Sequence, residues 1–232
     1  MNHDGARCFA LVPCAGVGQR AGTGGPKQYT PLQGRAVVAH TLAALAAVPR
    51  LVNTLVVLAP DDDQFEVEVP AFAGWVARVG GASRAASVGQ GLAVLRGRGV
   101  EDHDWVLVHD AARCLLQPEW VDRLIDACLD DEVGGLLALP LADTLKQEEG
   151  GPLPRVAATV PRAGKWAAQT PQMFRLGLLQ GALLRAGAAV TDEASAVEAL
   201  GLAPRLVAGD LENLKVTWPG DFALAARLLE TR

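Results

Sequence analysis

The stretch Cys8-Phe9-Ala10-Leu11-Val12-Pro13-Cys14-Ala15-Gly16-Val17-Gly18-Gln19-Arg20-Ala21-Gly22-Thr23-Gly24-Gly25-Pro26-Lys27-Gln28-Tyr29 decides the fold. Its opening residues, Cys8–Pro13, form a short apolar run of strand length, and this run passes without a spacer into a loop of small residues. A strand that empties into glycines is how an α/β ligand site begins. Without a Cβ, the backbone N–H groups approach phosphate oxygens closely and reach the positive φ angles that an anion nest uses.

Two familiar phosphate loops can be tested against this stretch. Gly16-Val17-Gly18-Gln19-Arg20-Ala21 fits the G-x-G-x-x-G/A pattern of a dinucleotide site, but that site also needs an acid about 20 residues on. The first acids after the second predicted strand are Asp61, Asp62 and Asp63, far too late. A Walker A loop fails as well, because Lys27 follows Pro26 and precedes Gln28 rather than Ser or Thr. The loop therefore cradles phosphate in some other way.

Outward from this loop, short β-rich runs alternate with longer amphipathic ones, the pattern of a mostly parallel sheet with helices on both faces. Strands are expected at 51–59, 75–79, 105–109, 135–141, 205–207 and 214–217, and helices at 37–48, 83–95, 119–129, 176–186, 192–200 and 219–229. The run at 51–59 is nearly all apolar, as a strand buried on both faces must be. Residues 142–164 differ: Thr144-Leu145-Lys146 and Val156-Ala157-Ala158-Thr159-Val160 flank the polar turn Glu148-Glu149-Gly150-Gly151-Pro152, which reads as a β-hairpin. Two-stranded hairpins are marginal in water, so one this polar is expected to reach onto a partner. The length, 232 residues, suits one domain with an inserted arm at about 142–164.

Composition narrows the chemistry. Half the residues are hydrophobic and 20% are charged, which is a globular balance. A net charge of -5, with 21 Lys and Arg against 26 acids, offers no clustered basic face for nucleic acid. It is compatible with a nucleotide, which needs only a few well-placed cations. Cys8, Cys14, Cys114 and Cys128 have neither metal-ligand spacing nor a disulfide framework, so reduced buried thiols are expected. The run after Cys8 is too short for a secretory segment, and no stretch reaches the roughly 20 apolar residues of a membrane span. A cytoplasmic location is the expectation, with no membrane partner.

Pro13-Cys14-Ala15-Gly16-Val17-Gly18-Gln19-Arg20 followed by Pro26-Lys27-Gln28-Tyr29 resembles the signature of the 2-C-methyl-D-erythritol 4-phosphate cytidylyltransferase family. The resemblance continues in order through Gly80-Gly81-Ala82-Ser83-Arg84-Ala85-Ala86-Ser87, Val108-His109-Asp110-Ala111-Ala112-Arg113, Asp143-Thr144-Leu145-Lys146, Thr170-Pro171-Gln172, Thr191-Asp192-Glu193-Ala194-Ser195 and Asn213-Leu214-Lys215-Val216-Thr217. It implies a Rossmann-like nucleotidyltransferase domain. It also implies transfer of CMP from CTP to 2-C-methyl-D-erythritol 4-phosphate, giving 4-diphosphocytidyl-2-C-methyl-D-erythritol and pyrophosphate in the non-mevalonate isoprenoid pathway.

The same resemblance assigns roles. Arg20 and Lys27 match transition-state cations; Ala15, Gly16, Gly18, Gly81, Ala82, Ser87 and Ala111 match the nucleotide-binding set. Asp110, Arg113, Thr144, Arg162, Thr191 and Lys215 match the acceptor-binding set, and Asp110 is the candidate for holding Mg²⁺ or another divalent cation, directly or through water. In the family the arm crosses to a neighbouring subunit, which implies a homodimer whose sites take Thr144 and Arg162 from the partner. Ala82 and Ala86 stand where relatives often carry acids, and Cys114 where they carry proline. A cytidylyltransferase for another polyol phosphate, such as ribitol 5-phosphate, would share the loop and Lys27; Arg162 with Lys215 favours methylerythritol phosphate.

Overall fold

The structure, a computed structural model, describes residues 5, 7–16, 25–187 and 190–232. Its centre is β1 (Cys8–Pro13), which lies between β4 (Leu51–Val57) and β6 (Trp105–Val108) and is parallel to both. The full sheet has seven strands in the order β11-β7-β10-β6-β1-β4-β5, where β5 is Trp75–Ala77, β7 Gly134–Pro140, β10 Trp166–Arg175 and β11 Arg205–Ala208. Every pairing is parallel except those of β10, which runs antiparallel to both β6 and β7. The expected doubly wound, mostly parallel sheet is therefore present.

The two-residue period of β1 sorts the core. Cys8, Ala10 and Val12 pack on one face with α1 (Val37–Ala46) and α4 (Pro118–Cys128). Phe9 and Leu11 pack on the other with α3 (Arg84–Gly97), α5 (Leu176–Ala186) and α6 (Glu193–Glu198). Side chains on both faces of β1 are buried, so a polar residue there would be costly, whereas each apolar side chain contributes about 1.5–3 kcal/mol by leaving water. A third cluster joins Leu32, Val37, Cys114, Leu115 and Val216 to Ala225 of α7 (Pro219–Glu230), which begins with proline at its first position. A two-stranded ribbon, β2 (Pro31–Leu32) with β3 (Arg35–Ala36), and a single helical turn, α2 (Phe65–Glu68), fill short connections that the sequence pattern does not announce.

Two expectations need correction. The segment 214–217 is not a strand: Val216 donates its N–H to Ala112 O, but no ladder forms, and the segment lies extended with Val216 fully buried. Conversely β10 is unexpected from sequence. Its run Gln169-Thr170-Pro171-Gln172 looks like loop, yet the ladder to β7 breaks only between Ala168 and Gln172 and resumes beyond it. The four residues are buried at the carboxyl edge of the sheet, with a cis Thr170–Pro171 bond.

The expected hairpin exists. β8 (Leu145–Glu149) pairs antiparallel with β9 (Arg155–Val160) in a sheet of its own, and nearly all its residues are exposed. Leu153 and Val156 are 68% and 61% exposed, so these two apolar residues of the hairpin find little cover within this chain, whereas Leu145 and Val160 at its base are half-buried.

Candidate active site

Strand order reverses at β1 and β6: β4 and β5 follow β1 to one side, β6 and its successors lie on the other. Ligands of open α/β sheets bind in the crevice beyond such a reversal, at the carboxyl ends of the strands. Here that crevice is a cleft of about 470 Å³ lined by Pro13, Cys14, Ala15, Gly16, Lys27, Gln28, Gly81, Ala82, Ser83, Arg84, Ser87, Asp110, Ala111, Ala112 and Lys215. Of the residues singled out from sequence, Ala15, Gly16, Lys27, Gly81, Ala82, Ser87, Asp110, Ala111 and Lys215 meet there. Gly18 and Arg20 lie outside the described residues.

Local structure explains how these groups come to the cleft. The end of β1 is prolonged by Cys14, whose N–H donates to Val57 O at 2.8 Å. Gln28, 6% exposed, donates through Nε2 to Cys14 O at 3.1 Å, which draws the short 3₁₀ turn Lys27–Tyr29 against the loop. Tyr29 anchors the far side of that turn by donating to Asp62 Oδ2 at 2.6 Å. Lys27 then reaches across and donates from Nζ to Val216 O at 2.9 Å. On the opposite wall, a Cβ at Gly80 would overlap Ala15 Cβ and the Leu58 carbonyl, so only glycine lets these loops approach.

Ser83 caps α3 by accepting from Ala86 N–H at 3.1 Å. Ser87 lies one turn on, where its Oγ accepts from Gly81 N–H at 3.1 Å and donates to Ser83 O at 3.0 Å. Ser87 thus shapes the Gly81 wall of the cleft from inside the protein.

Asp110 is the electrostatic centre. Its side chain is 10% exposed; Oδ1 accepts from Arg84 Nε at 2.8 Å, Oδ2 from Lys215 Nζ at 2.9 Å, and Arg113 Nε stands 3.8 Å from Oδ2. Burial by itself would raise this carboxyl's pKa, but the charges of Arg84, Lys215 and Arg113 overcome it and hold the group well below the usual carboxylate range. Arg84 also forks onto Glu193, 1% exposed, through Nη1 at 2.6 Å and Nη2 at 3.0 Å. Burial works against the Arg84 charge, yet the two carboxylates outweigh it and raise its pKa, so the guanidinium stays charged.

Behind Asp110, a buried polar chain orders the strand end. Thr170 Oγ1 accepts from Asp110 N–H at 3.0 Å and lies 3.0 Å from His109 Nδ1, while His109 Nε2 lies 3.2 Å from Arg113 O. A carbonyl only accepts, so Nε2 carries the proton and Nδ1 accepts from the Thr170 hydroxyl. Burial pushes the imidazole down to about 4, and the ring is neutral at neutral pH.

The remaining acceptor candidates divide. Arg113 is nearly buried and donates from Nη1 to Asn213 O at 2.6 Å, which leaves its Nε facing Asp110. Thr191 is exposed on the turn before α6, beside Arg84 and Glu193 around a small cavity of about 80 Å³. Its neighbour Asp192 caps α6 by a reciprocal pair of hydrogen bonds with Ser195. Thr144 and Arg162 are exposed beside the two arms of the hairpin, and neither lines the cleft within one chain.

Magnesium prefers several oxygen ligands and releases its waters reluctantly. Among the described residues no group of three or more His, Cys, Asp or Glu converges. Both Asp110 oxygens already accept from cations. Among the described residues the donor set does not fit a resident magnesium ion. The thiols fit no redox or metal site either: all four cysteines are unpaired and buried, and burial pushes Cys8 and Cys114 up to about 11. No helix among the described residues is long and apolar enough to cross a membrane.

Sequence reasoning left Arg84, Glu193, Thr170 and Gln28 without roles, although all four stand inside motifs it quoted. Their signal was present as residue type, but their partners lie 14 to 109 positions away, beyond any local pattern.

Comparison with known proteins agrees with this geometry. The family model for IspD, 2-C-methyl-D-erythritol 4-phosphate cytidylyltransferase, matches residues 8–231. A bifunctional enzyme IspD/IspF of Albidiferax ferrireducens is 62% identical over 227 residues, 97% of this chain and 54% of that protein, so the chain spans about half the length of this relative. The 2-C-methyl-D-erythritol 4-phosphate cytidylyltransferase of Laribacter hongkongensis is 58% identical over 97% of this chain and 96% of its own length. Among solved structures, a 4-diphosphocytidyl-2C-methyl-D-erythritol synthase superposes with a TM-score of 0.85 at 42% identity, covering 97% of this chain and 98% of that one. The Francisella tularensis 2-C-methyl-D-erythritol 4-phosphate cytidylyltransferase does so with 0.79 at 30% identity, covering 95% and 98%. Strand order, cleft and sequence all point one way, and the chain belongs to the 2-C-methyl-D-erythritol 4-phosphate cytidylyltransferase family.

Proposed function

We propose that this chain transfers CMP from CTP to 2-C-methyl-D-erythritol 4-phosphate, giving 4-diphosphocytidyl-2-C-methyl-D-erythritol and pyrophosphate on the non-mevalonate route to isoprenoid precursors. The observation that carries the reading is the cleft itself: the loop start Pro13–Gly16 lines one side, and Lys27, Arg84 and Lys215 stand as cations around it. Among the described residues a Cβ at Gly16 would meet no atom within 4 Å, so packing against them does not demand glycine there, which supports close approach of a ligand.

In the reaction, an acceptor phosphate oxygen attacks the α-phosphorus of CTP, a new P–O bond forms, and the bond to the β-phosphate oxygen breaks, leaving pyrophosphate with the electron pair. A phosphate monoester has its second pKa at about 6 and is largely dianionic at pH 7, so no general base is needed. The protein's task is to hold two polyanions in line and to stabilise charge on the five-coordinate phosphorus. We assign that stabilisation to Lys27 and Arg20. Ala15, Gly16, Gly18, Gly81, Ala82, Ser87 and Ala111 would bind the nucleotide, and Asp110, Arg113, Thr191 and Lys215 the acceptor. Mg²⁺, or another divalent cation, would in this reading accompany CTP as its counter-ion and would supply positive charge for the pyrophosphate group.

Residues 1–232 act in this proposal as one nucleotidyltransferase domain, and the arm at about 142–164 carries Thr144 and Arg162 into the site of a second copy. The arm's exposed Leu153 and Val156 support such an exchange. Four unpaired cysteines support a reducing, cytoplasmic location.

The test is pyrophosphate release from CTP with Mg²⁺ and a panel that includes methylerythritol phosphate and ribitol 5-phosphate. Turnover with methylerythritol phosphate is expected, and Lys27→Ala is expected to lower the rate at least about 10²-fold, the usual cost of a lost electrostatic donor. Preference for ribitol 5-phosphate, or brisk turnover by the variant, would overturn the assignment.

A further inference from the structure

Arg84, Asp110 and Glu193 arrive from three different elements: the first turn of α3, the loop after β6 and the first turn of α6. The guanidinium fork grips both oxygens of Glu193, and this fixes the plane in which Nε is offered to Asp110 at 2.8 Å. We propose that Arg84 and Glu193 form a positioning pair that sets Asp110 and the Thr191 turn on the acceptor side of the cleft. The proposal rests on the acceptor-binding roles assigned above to Asp110 and Thr191.

Several observations favour positioning over mere stability. A buried ion pair adds little net stability over apolar packing of the same shape, whereas its geometry is specific. Glu193 is 1% exposed and does not line the nucleotide cleft, so it acts through Arg84 rather than on CTP. It also sits two residues after Thr191, directly behind the Asp192 cap, so fixing Glu193 fixes that turn. Gln172 supports the same turn by donating to Asp192 Oδ2 and accepting from Ala194 N–H, both at 2.8 Å. Without Arg84, the Asp110 carboxylate would keep only Lys215 as a close charged donor and could turn away from the acceptor.

The test uses Glu193→Gln, which removes the charge at constant shape, and Arg84→Lys, which keeps the charge but loses the fork. KM is measured separately for methylerythritol phosphate and for CTP by pyrophosphate release, with thermal unfolding of each protein alongside. Both variants are expected to raise the acceptor KM about tenfold or more, and with Glu193→Gln, which lies off the cleft, the CTP KM is expected to stay within about twofold, the separation that distinguishes an acceptor-side effect from general damage. Unchanged acceptor KM in folded variants, or an equal rise in both KM values with Glu193→Gln, would overturn the proposal. So would loss of folding in both variants, which would leave the pair a purely structural role. A silent wild-type enzyme would instead reject the reaction assigned under the proposed function, so the two failures are distinguishable.

Discussion

Asp110→Asn separates charge from shape at the centre of the site. In the wild type both carboxylate oxygens accept from cationic donors, Arg84 Nε at 2.8 Å and Lys215 Nζ at 2.9 Å, with Arg113 Nε at 3.8 Å. An amide in that place turns its NH₂ toward one of these donors and leaves three cations with one negative neighbour fewer. Breaking a buried pair from one side costs about 3–5 kcal/mol, and the lower end applies here because water reaches Lys215 and part of Arg84. For a chain of 232 residues, about 3 kcal/mol corresponds to a fall of roughly 6–12 °C in the unfolding midpoint. The sign of the pH effect follows from the direction of the shift. Asp110 is held below the ordinary carboxylate range, so its contribution is complete above the unfolded pKa of about 3.9 and is lost as pH falls toward the folded value. The gap between wild type and variant is therefore full at pH 7 and narrows by about 1.4 kcal/mol for each unit below about pH 4. Thermal unfolding at pH 7 and urea unfolding at pH 7, 5 and 3.5 of both proteins measure it. A variant within about 2 °C of wild type at pH 7, or a gap that widens in acid, would refute the reasoning.

Gly16→Ala should raise the CTP KM about tenfold while stability moves by less than about 0.5 kcal/mol, because the added Cβ meets no atom of the described residues; an unchanged CTP KM would remove Gly16 from the nucleotide site. For His109, whose folded pKa is lowered to about 4, stability is complete above about 6.5 and erodes as pH falls from there toward 4. A ring-proton titration by NMR with a midpoint near 6.5 would contradict the buried neutral imidazole. Under the proposed arm exchange the intact chain should sediment as a dimer, and replacing residues 145–160 by a short glycine linker should give a monomer and abolish turnover; the same sedimenting species with and without the arm would dismiss arm exchange.

The sequence alone determined the strand–loop opening at Cys8–Gly16, the alternation of sheet and helix, and the polar hairpin, because each is a local matter of period, turn chemistry and burial on two faces. The ordered motifs named the family before any coordinate did. Only the tertiary structure decided which motif residues meet. β10 was illegible because Gln169, Thr170 and Gln172 look like loop until Asn213, His109 and Asp192 supply hydrogen-bond partners from 20 to 61 residues away. The segment 214–217 misled for the opposite reason, since β-branched composition fits an extended chain whether or not a neighbouring strand completes a ladder. The clamp of Arg84 on Asp110 and Glu193 exists only where three elements converge, and long-range electrostatics leaves no period in a sequence.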